Sequence, residues 1–261
     1  MDKQTILITG AASGIGRETA LFFARKEWFV GLFDVDESGL KALASEIGSA
    51  NCFSNVMDVA DPDSVKSGID AFARRTGGRL DVLLNNAGIL KFGLFEKVDL
   101  STHLKIVDVN FKGCLSCAYH GLPYLKQTPG ARIISLSSIS SLYGIPELSV
   151  YSATKHALSA MTQALNIELE PYGIHVCDIR PPYVKTPMLA GGENTKSMIV
   201  MNLLGGRIKP EKVVRAIWKA VHQNRLHWNI GLTWLMLLQF WLLPFTKRFS
   251  VKLLTMPKIG G

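Results

Sequence analysis

The chain has 261 residues, 48% of them hydrophobic, enough for one large buried core, and neither a Pro/Ser-rich linker nor an internal repeat divides it. Its net charge of +8 is unevenly placed: residues 1–195 carry 18 Lys/Arg against 20 Asp/Glu, while residues 196–261 carry 11 against Glu211 alone. A basic excess confined to one end, beside the uncharged run Trp228 to Phe245, argues against a nucleic-acid partner and for a membrane surface. Met1-Asp2-Lys3-Gln4 leads straight into a strand-like segment with no basic, apolar, cleavable leader, so a cytoplasmic location is expected. Of the four cysteines, Cys114 and Cys117 form a C-x-x-C without the second pair that zinc needs; with Cys52 and Cys177 they are expected to pack in the core, and no metal site is expected.

In chain order, Thr5 to Thr9, Phe29 to Phe33, Asn51 to Asn55, Leu80 to Leu84, Arg132 to Leu136 and Ile174 to Ile179 read as strands, with Arg225 to Gly231 as a seventh. Between them Gly14 to Lys26, Glu37 to Ile47 and Asp63 to Thr76 are amphipathic, and Glu211 to Gln223 reads as a late helix. Strict alternation predicts a doubly wound α/β domain, a mostly parallel seven-stranded sheet with helices on both faces, over residues 1–231. Ligands then bind beyond the C-terminal strand edges.

The first such edge carries Thr9-Gly10-Ala11-Ala12-Ser13-Gly14-Ile15-Gly16. Gly10 allows a sharp turn, Gly14 lets backbone approach a pyrophosphate, and Gly16 permits close helix packing, while the helix N-terminus offers free N–H groups to phosphate; Ser13 and Ile15 join this cofactor set. Asp34 closes the second strand, eighteen residues after Gly16, where a carboxylate accepts from ribose hydroxyls and repels a 2′-phosphate. NAD is therefore expected over NADP, with Arg17 the only cation nearby to favour the latter. Asp58 and Val59 after the third strand, and Asn85, Ala87 and Gly88 after the fourth, are further cofactor candidates, although Asn and Gly are also ordinary turn formers.

Chemistry is carried by Tyr151 and Lys155, one helical turn apart, and by Ser138 thirteen residues earlier at the end of the fifth strand. A phenol with a pKa of about 10 is a poor base near neutrality unless its anion is stabilised, and the Lys155 ammonium is expected to do that and to hold the nicotinamide ribose. Ser138 would donate to the substrate oxygen; Ser137 and Ser140 are rivals that the spacing to Tyr151 sets aside. Asn110 would hold a water linking Lys155 to solvent.

Together these residues resemble the short-chain dehydrogenase/reductase family from about Thr5 to Thr186. The resemblance implies an Asn110–Ser138–Tyr151–Lys155 tetrad, with Tyr151 and Lys155 also touching the cofactor, reversible NAD(P)-dependent oxidoreduction of an alcohol or ketone, and a homo-oligomer, dimer or tetramer. The family usually has Pro-Gly after the sixth strand, whereas Arg180-Pro181-Pro182-Tyr183-Val184-Lys185-Thr186-Pro187 stands here. Pro182 fixes its own φ and lacks an N–H. Pro181, Val184 and Thr186 are still expected at the nicotinamide.

Residues 187–206, rich in Met and Leu, read as a substrate lid over an apolar ligand. Within the 232–261 extension, Trp234, Leu238, Trp241 and Phe245 fall on one helical face ahead of Lys247, Arg248 and Lys252. That pattern fits a membrane interface through residues 232–252, and equally fits packing on the domain or on a second subunit. The expected activity is interconversion of a secondary alcohol and a ketone on a steroid-, retinoid- or lipid-like substrate; a nucleotide sensor or scaffold that binds NAD(H) with little turnover is the rival reading.

Overall fold

Five fully buried residues, Thr5–Thr9, form β1 in the middle of a seven-stranded sheet. Their side chains alternate in direction, so Ile6 and Ile8 enter one core with Phe23, Trp28 and Ile217 while Leu7 enters the other with Phe29, Phe33 and Phe72. A strand covered on both faces favours a continuous apolar run, here Ile6 to Ile8, and the hydroxyls of the flanking Thr5 and Thr9 are hydrogen-bonded. The computed structural model describes residues 3–190 and 207–231.

The remaining strands are β2 (Phe29–Asp34), β3 (Cys52–Val56), β4 (Val82–Asn85), β5 (Arg132–Leu136), β6 (His175–Arg180) and β7 (His227–Asn229). Their order is β3-β2-β1-β4-β5-β6-β7, and every pairing is parallel. Helices α1 (Gly14–Arg25), α2 (Glu37–Ile47), α3 (Pro62–Thr76), α4 (Leu100–Val107), α5 (Gly113–Lys126), α6 (Ser149–Glu168) and α7 (Pro210–His222) supply the crossovers. Local chemistry sets their ends. Asp36 caps α2 by accepting from Gly39 N at 3.0 Å, and α3 opens with Asp61-Pro62 and closes on Gly77 in the left-handed region.

The expected doubly wound domain is thus the observed one, with a sheet that is wholly rather than mostly parallel. β4 starts two residues later than its apolar run suggested. Leu80 and Asp81 donate their N–H groups to the hydroxyls of Thr128 and Thr5, so both leave the ladder. The seventh strand is short because Gly231 turns away with φ +71°. Most of the expected lid, residues 191–206, and the whole 232–261 extension lie outside the described residues; only the 3₁₀ turn Pro187–Leu189 at the start of the lid is described.

Winding outward from β1 to β3 and then crossing to β4 opens a crevice where β1 and β4 diverge at their C-terminal ends. A cavity of about 510 Å³ occupies that edge.

Candidate active site

At one end of the cavity lies the turn between β1 and α1. Gly10 has φ +66° and Gly14 φ +53°, a region that L side chains rarely adopt. Close approach matters as much as φ. A Cβ on Gly16 would lie 2.1 Å from the Gly10 carbonyl oxygen, and one on Gly10 would lie 2.9 Å from Ala87 Cα. The turn is clamped from β4: Asn86 Nδ2 donates to the Thr9 and Gly10 carbonyls, both at 2.9 Å, and the Asn86 and Ala87 N–H groups donate to Thr9 Oγ1. Gly10, Ser13, Gly14 and Ile15 line the cavity, while Gly16 supports them from behind.

Asp34, Val35, Met57, Asp58 and Val59 line the adjoining end. Asp34 Oδ2 accepts from Ala12 N at 2.9 Å and Oδ1 from Asp36 N, which fixes the carboxylate against the glycine turn. Arg17 is paired with Glu46 and with Glu18 at 3.7 Å. One oxygen of Asp58 accepts from Ala60 N. These surfaces fit a dinucleotide: glycines where backbone must approach a phosphate, a helix N-terminus aimed at it, and a carboxylate at the far wall.

At the other end, α6 brings Tyr151 and Lys155 beside the end of β5. The Ser138 hydroxyl hydrogen-bonds to the Tyr151 phenol and accepts from Ser140 N at 3.2 Å. Burial nevertheless dominates, and the phenol pKa is pushed up to about 12, with the Ser138 bond pulling the other way. Lys155 is 4% exposed and donates to the Leu136 carbonyl at 2.6 Å; burial lowers its pKa, opposed by the neighbouring Cys114 thiol. The expected lowering of the phenol by Lys155 is therefore not what governs the cavity as it stands. Of the rival serines, Ser137 gives its hydroxyl to the Lys155 carbonyl at 3.2 Å, and Ser140 is buried.

Asn110 sits in a π-helical turn, Asp108–Lys112, between α4 and α5. Its Oδ1 accepts from Ile89 N at 2.8 Å, and its Nδ2 donates to Ile89 O at 2.9 Å and Thr154 Oγ1 at 3.3 Å. The amide thus braces the chain after β4 against α6. Gly88 lies between Asn110 and Lys155, where a Cβ would come 3.3 Å from Asn110 Oδ1. The thiols of the C-x-x-C are raised by burial, Cys114 to about 11, and all four cysteines are free and buried, as core packing requires. Among the described residues no cluster could hold a metal ion.

The double-proline loop keeps its place through β-type pairing with the chain before α7. Val184 bridges Ile208, Lys185 N donates to Ile208 O at 2.9 Å, and Ile208 N donates to Tyr183 O at 3.0 Å. Pro181, Val184 and Thr186 line the cavity, and a Cβ on Gly14 would come 3.1 Å from Thr186 Cγ2.

Residues 4–197 match the short chain dehydrogenase family. The chain belongs to that family. This short-chain dehydrogenase is 30% identical over 219 residues to cyclohexanol dehydrogenase of Acinetobacter sp. (strain SE19), covering 83% of this chain and 86% of the relative. It is 31% identical over 223 residues to a 3-oxoacyl-[acyl-carrier-protein] reductase of Thermotoga maritima, covering 83% and 89% of the two chains. Among solved structures, 3-ketoacyl-(acyl-carrier-protein) reductase from Brucella melitensis complexed with NADH aligns with a TM-score of 0.78 and 28% identity, over 87% of this chain and 96% of that one. The short-chain dehydrogenase is accordingly an oxidoreductase acting on CH–OH groups with a nicotinamide dinucleotide.

Sequence reasoning on this dehydrogenase missed Asn86, the clamp on the glycine turn, and chose Asn85. Asn85 closes β4 with its side chain buried, off the cavity wall. Strand alternation carried the signal, because neighbours at a strand end point opposite ways. It also missed most of the wall beside Tyr151: Ile89, Leu90, Ile139, Ile145, Leu148 and Leu189. They come from three separate loops, and only folding brings them together.

Proposed function

We propose that this dehydrogenase interconverts a secondary alcohol and a ketone on an apolar substrate, with NAD(H) preferred. The observation that carries the reading is the Tyr151 phenol, hydrogen-bonded to Ser138 and opening on a cavity whose near wall is Ile89, Leu90, Ile139, Ile145, Leu148 and Leu189. Such a wall favours a greasy ligand and leaves the hydroxyls of Ser138 and Tyr151 to orient a single oxygen. The NAD preference is supported by Asp34 at the far end and by the engagement of Arg17 with Glu46.

A nicotinamide dinucleotide, when bound, would supply or accept the hydride. Ser138 donates to the substrate oxygen and sets its position. Tyr151, protonated at neutral pH because burial holds its pKa high, gives its proton to that oxygen during reduction and takes one during oxidation. Lys155 stabilises the resulting phenolate through its charge, and Asn110 keeps Ile89 and Gly88 in place beside it. Gly10, Ser13, Gly14 and Ile15 would hold the pyrophosphate, with Asp34, Asp58 and Val59 around the adenosine, and Ala87, Gly88, Pro181, Val184 and Thr186 would surround the nicotinamide half.

A homo-oligomer belongs to the same reading, supported by Leu104, Leu115 and Tyr119, exposed along α4 and α5. Contact of residues 232–252 with lipid is supported by their aromatic and basic spacing alone; among the described residues no helix is long and apolar enough to cross a membrane. Flotation with anionic liposomes at low salt tests it, and a chain that stays wholly unbound refutes it.

The main test is oxidation of NADH in the presence of cyclic, steroidal and long-chain ketones. Turnover of at least one apolar ketone, faster with NADH than NADPH, is expected. NADH binding without oxidation by any of them would refute the proposal and favour a sensor.

A further inference from the structure

Behind the cavity lies a polar cluster where apolar packing would be expected. Asp178 on β6 is fully buried, and Arg180, on the same face of that strand, is 7% exposed. Arg180 Nε stands 3.2 Å from the Asp178 carboxylate, and Arg180 Nη2 donates to Ser159 Oγ on α6, which in turn donates to Asp178 Oδ2 at 2.8 Å. His227 on β7 closes the ring. Its Nδ1 lies 2.9 Å from Asp178 Oδ1 and 2.7 Å from Arg180 Nη2, and its Nε2 lies 3.2 Å from Gln163 Nε2 on α6.

Taking an ion pair out of water is costly, and an apolar set of equal volume would hold strand to helix at least as firmly. What directional bonds add is a single register between the elements they join. Here those elements are the two walls of the active site. Ser159 follows Tyr151 and Lys155 at four-residue steps along one face of α6. Arg180 immediately precedes Pro181 and Pro182, both on the cavity wall, and its carbonyl accepts from Ile230 N at 3.2 Å; Gly231 packs against Pro182, where a Cβ would meet Pro182 Cγ at 3.3 Å. The loop that lacks the usual glycine thus starts directly from a residue whose guanidinium is bonded to β6, α6 and β7.

We propose that Arg180 is a positioning residue for hydride transfer: with Asp178, Ser159 and His227 it fixes the helix bearing Tyr151 and Lys155 relative to the Pro181–Thr186 loop. The inference rests on the oxidoreductase reading above. Arg180 does not line the cavity, so its loss should disturb the chemical step and spare cofactor affinity.

The test compares Arg180→Met, Arg180→Lys and Ser159→Ala in the full chain with an apolar ketone that the wild type reduces. For Arg180→Met, kcat should fall about 10- to 100-fold, the scale of a misplacement near 1 Å, while the NADH Kd stays within about threefold. The primary deuterium isotope effect from deuterated NADH should rise, Arg180→Lys should recover part of kcat, and the Lys185 amide should exchange faster with no change in β1. If Arg180→Met does not fold, Ser159→Ala, which strands no charge, serves instead, with a kcat loss of about threefold or more. A folded variant with wild-type kcat and isotope effect, lowered only in Tm, overturns the proposal. A wild type that binds NADH and reduces no ketone counts against the oxidoreductase reading instead; Lys185 exchange then decides the positioning claim, and an unchanged rate sinks it.

Discussion

The Lys155 ammonium stands 5.5 Å from the centre of the Tyr151 ring and is tied to the Leu136 carbonyl at the end of β5. One charge therefore anchors the catalytic helix to the sheet beside the Tyr151 ring. In the cavity as it stands burial outweighs the opposing hydrogen bond from Ser138, and the phenol is an acid rather than an anion.

Tyr151→Phe removes the phenol hydrogen-bonded to Ser138. Turnover should fall about 1000-fold or more, the upper part of the range for a positioned proton donor, with NADH affinity within a few-fold of wild type. Steady-state rates beside a fluorescence titration of NADH check both halves.

The raised phenol pKa gives the pH dependence a sign. With a pKa of about 12, the phenol stays protonated through neutral and mildly alkaline pH, so ketone reduction should be nearly flat from pH 6 to 9. Alcohol oxidation needs the anion and should rise with pH over the same span. Lys155→Met, removing the cation, should push that rise further alkaline; pH profiles of kcat in both directions decide it.

Asp34→Ala should raise kcat/KM for NADPH relative to NADH about tenfold or more, since the carboxylate that repels a 2′-phosphate is gone. It also leaves the Ala12 N–H without its acceptor, so Tm should drop by a few degrees. An unchanged cofactor preference would point to another determinant of the adenosine end.

Asn86→Ala should weaken NADH binding about tenfold, about 1.4 kcal/mol, because two carbonyls of the glycine turn lose their donor. Asn85→Ala, off the wall and with neither polar side-chain atom hydrogen-bonded, should change affinity less than about threefold and cost little stability. Calorimetric NADH titration and thermal melts of the two variants separate these outcomes.

Elements whose reason is local were legible before folding. β1 and β5 run Thr5–Thr9 and Arg132–Leu136, as their apolar runs read, because a strand buried on both faces needs such a run. β4 was misplaced by two residues because the acceptors that withdraw Leu80 and Asp81 belong to Thr128 and Thr5, far off in the chain. Ser138 was separable from its neighbours by spacing to Tyr151. What Asn110 does with its amide was not, since its partners Ile89 and Thr154 are brought by other elements.

The sequence by itself determined the order of strands and helices, the glycine turn and the Ser138–Tyr151–Lys155 spacing, because each follows from backbone geometry or helical periodicity within a short window. Only the tertiary structure decided that Asn86 rather than Asn85 grips the turn, that the phenol is too buried to be an anion unaided, and that Asp178, Arg180, Ser159 and His227 meet. Those depend on desolvation and on distances between residues far apart in the chain, quantities that no local pattern encodes.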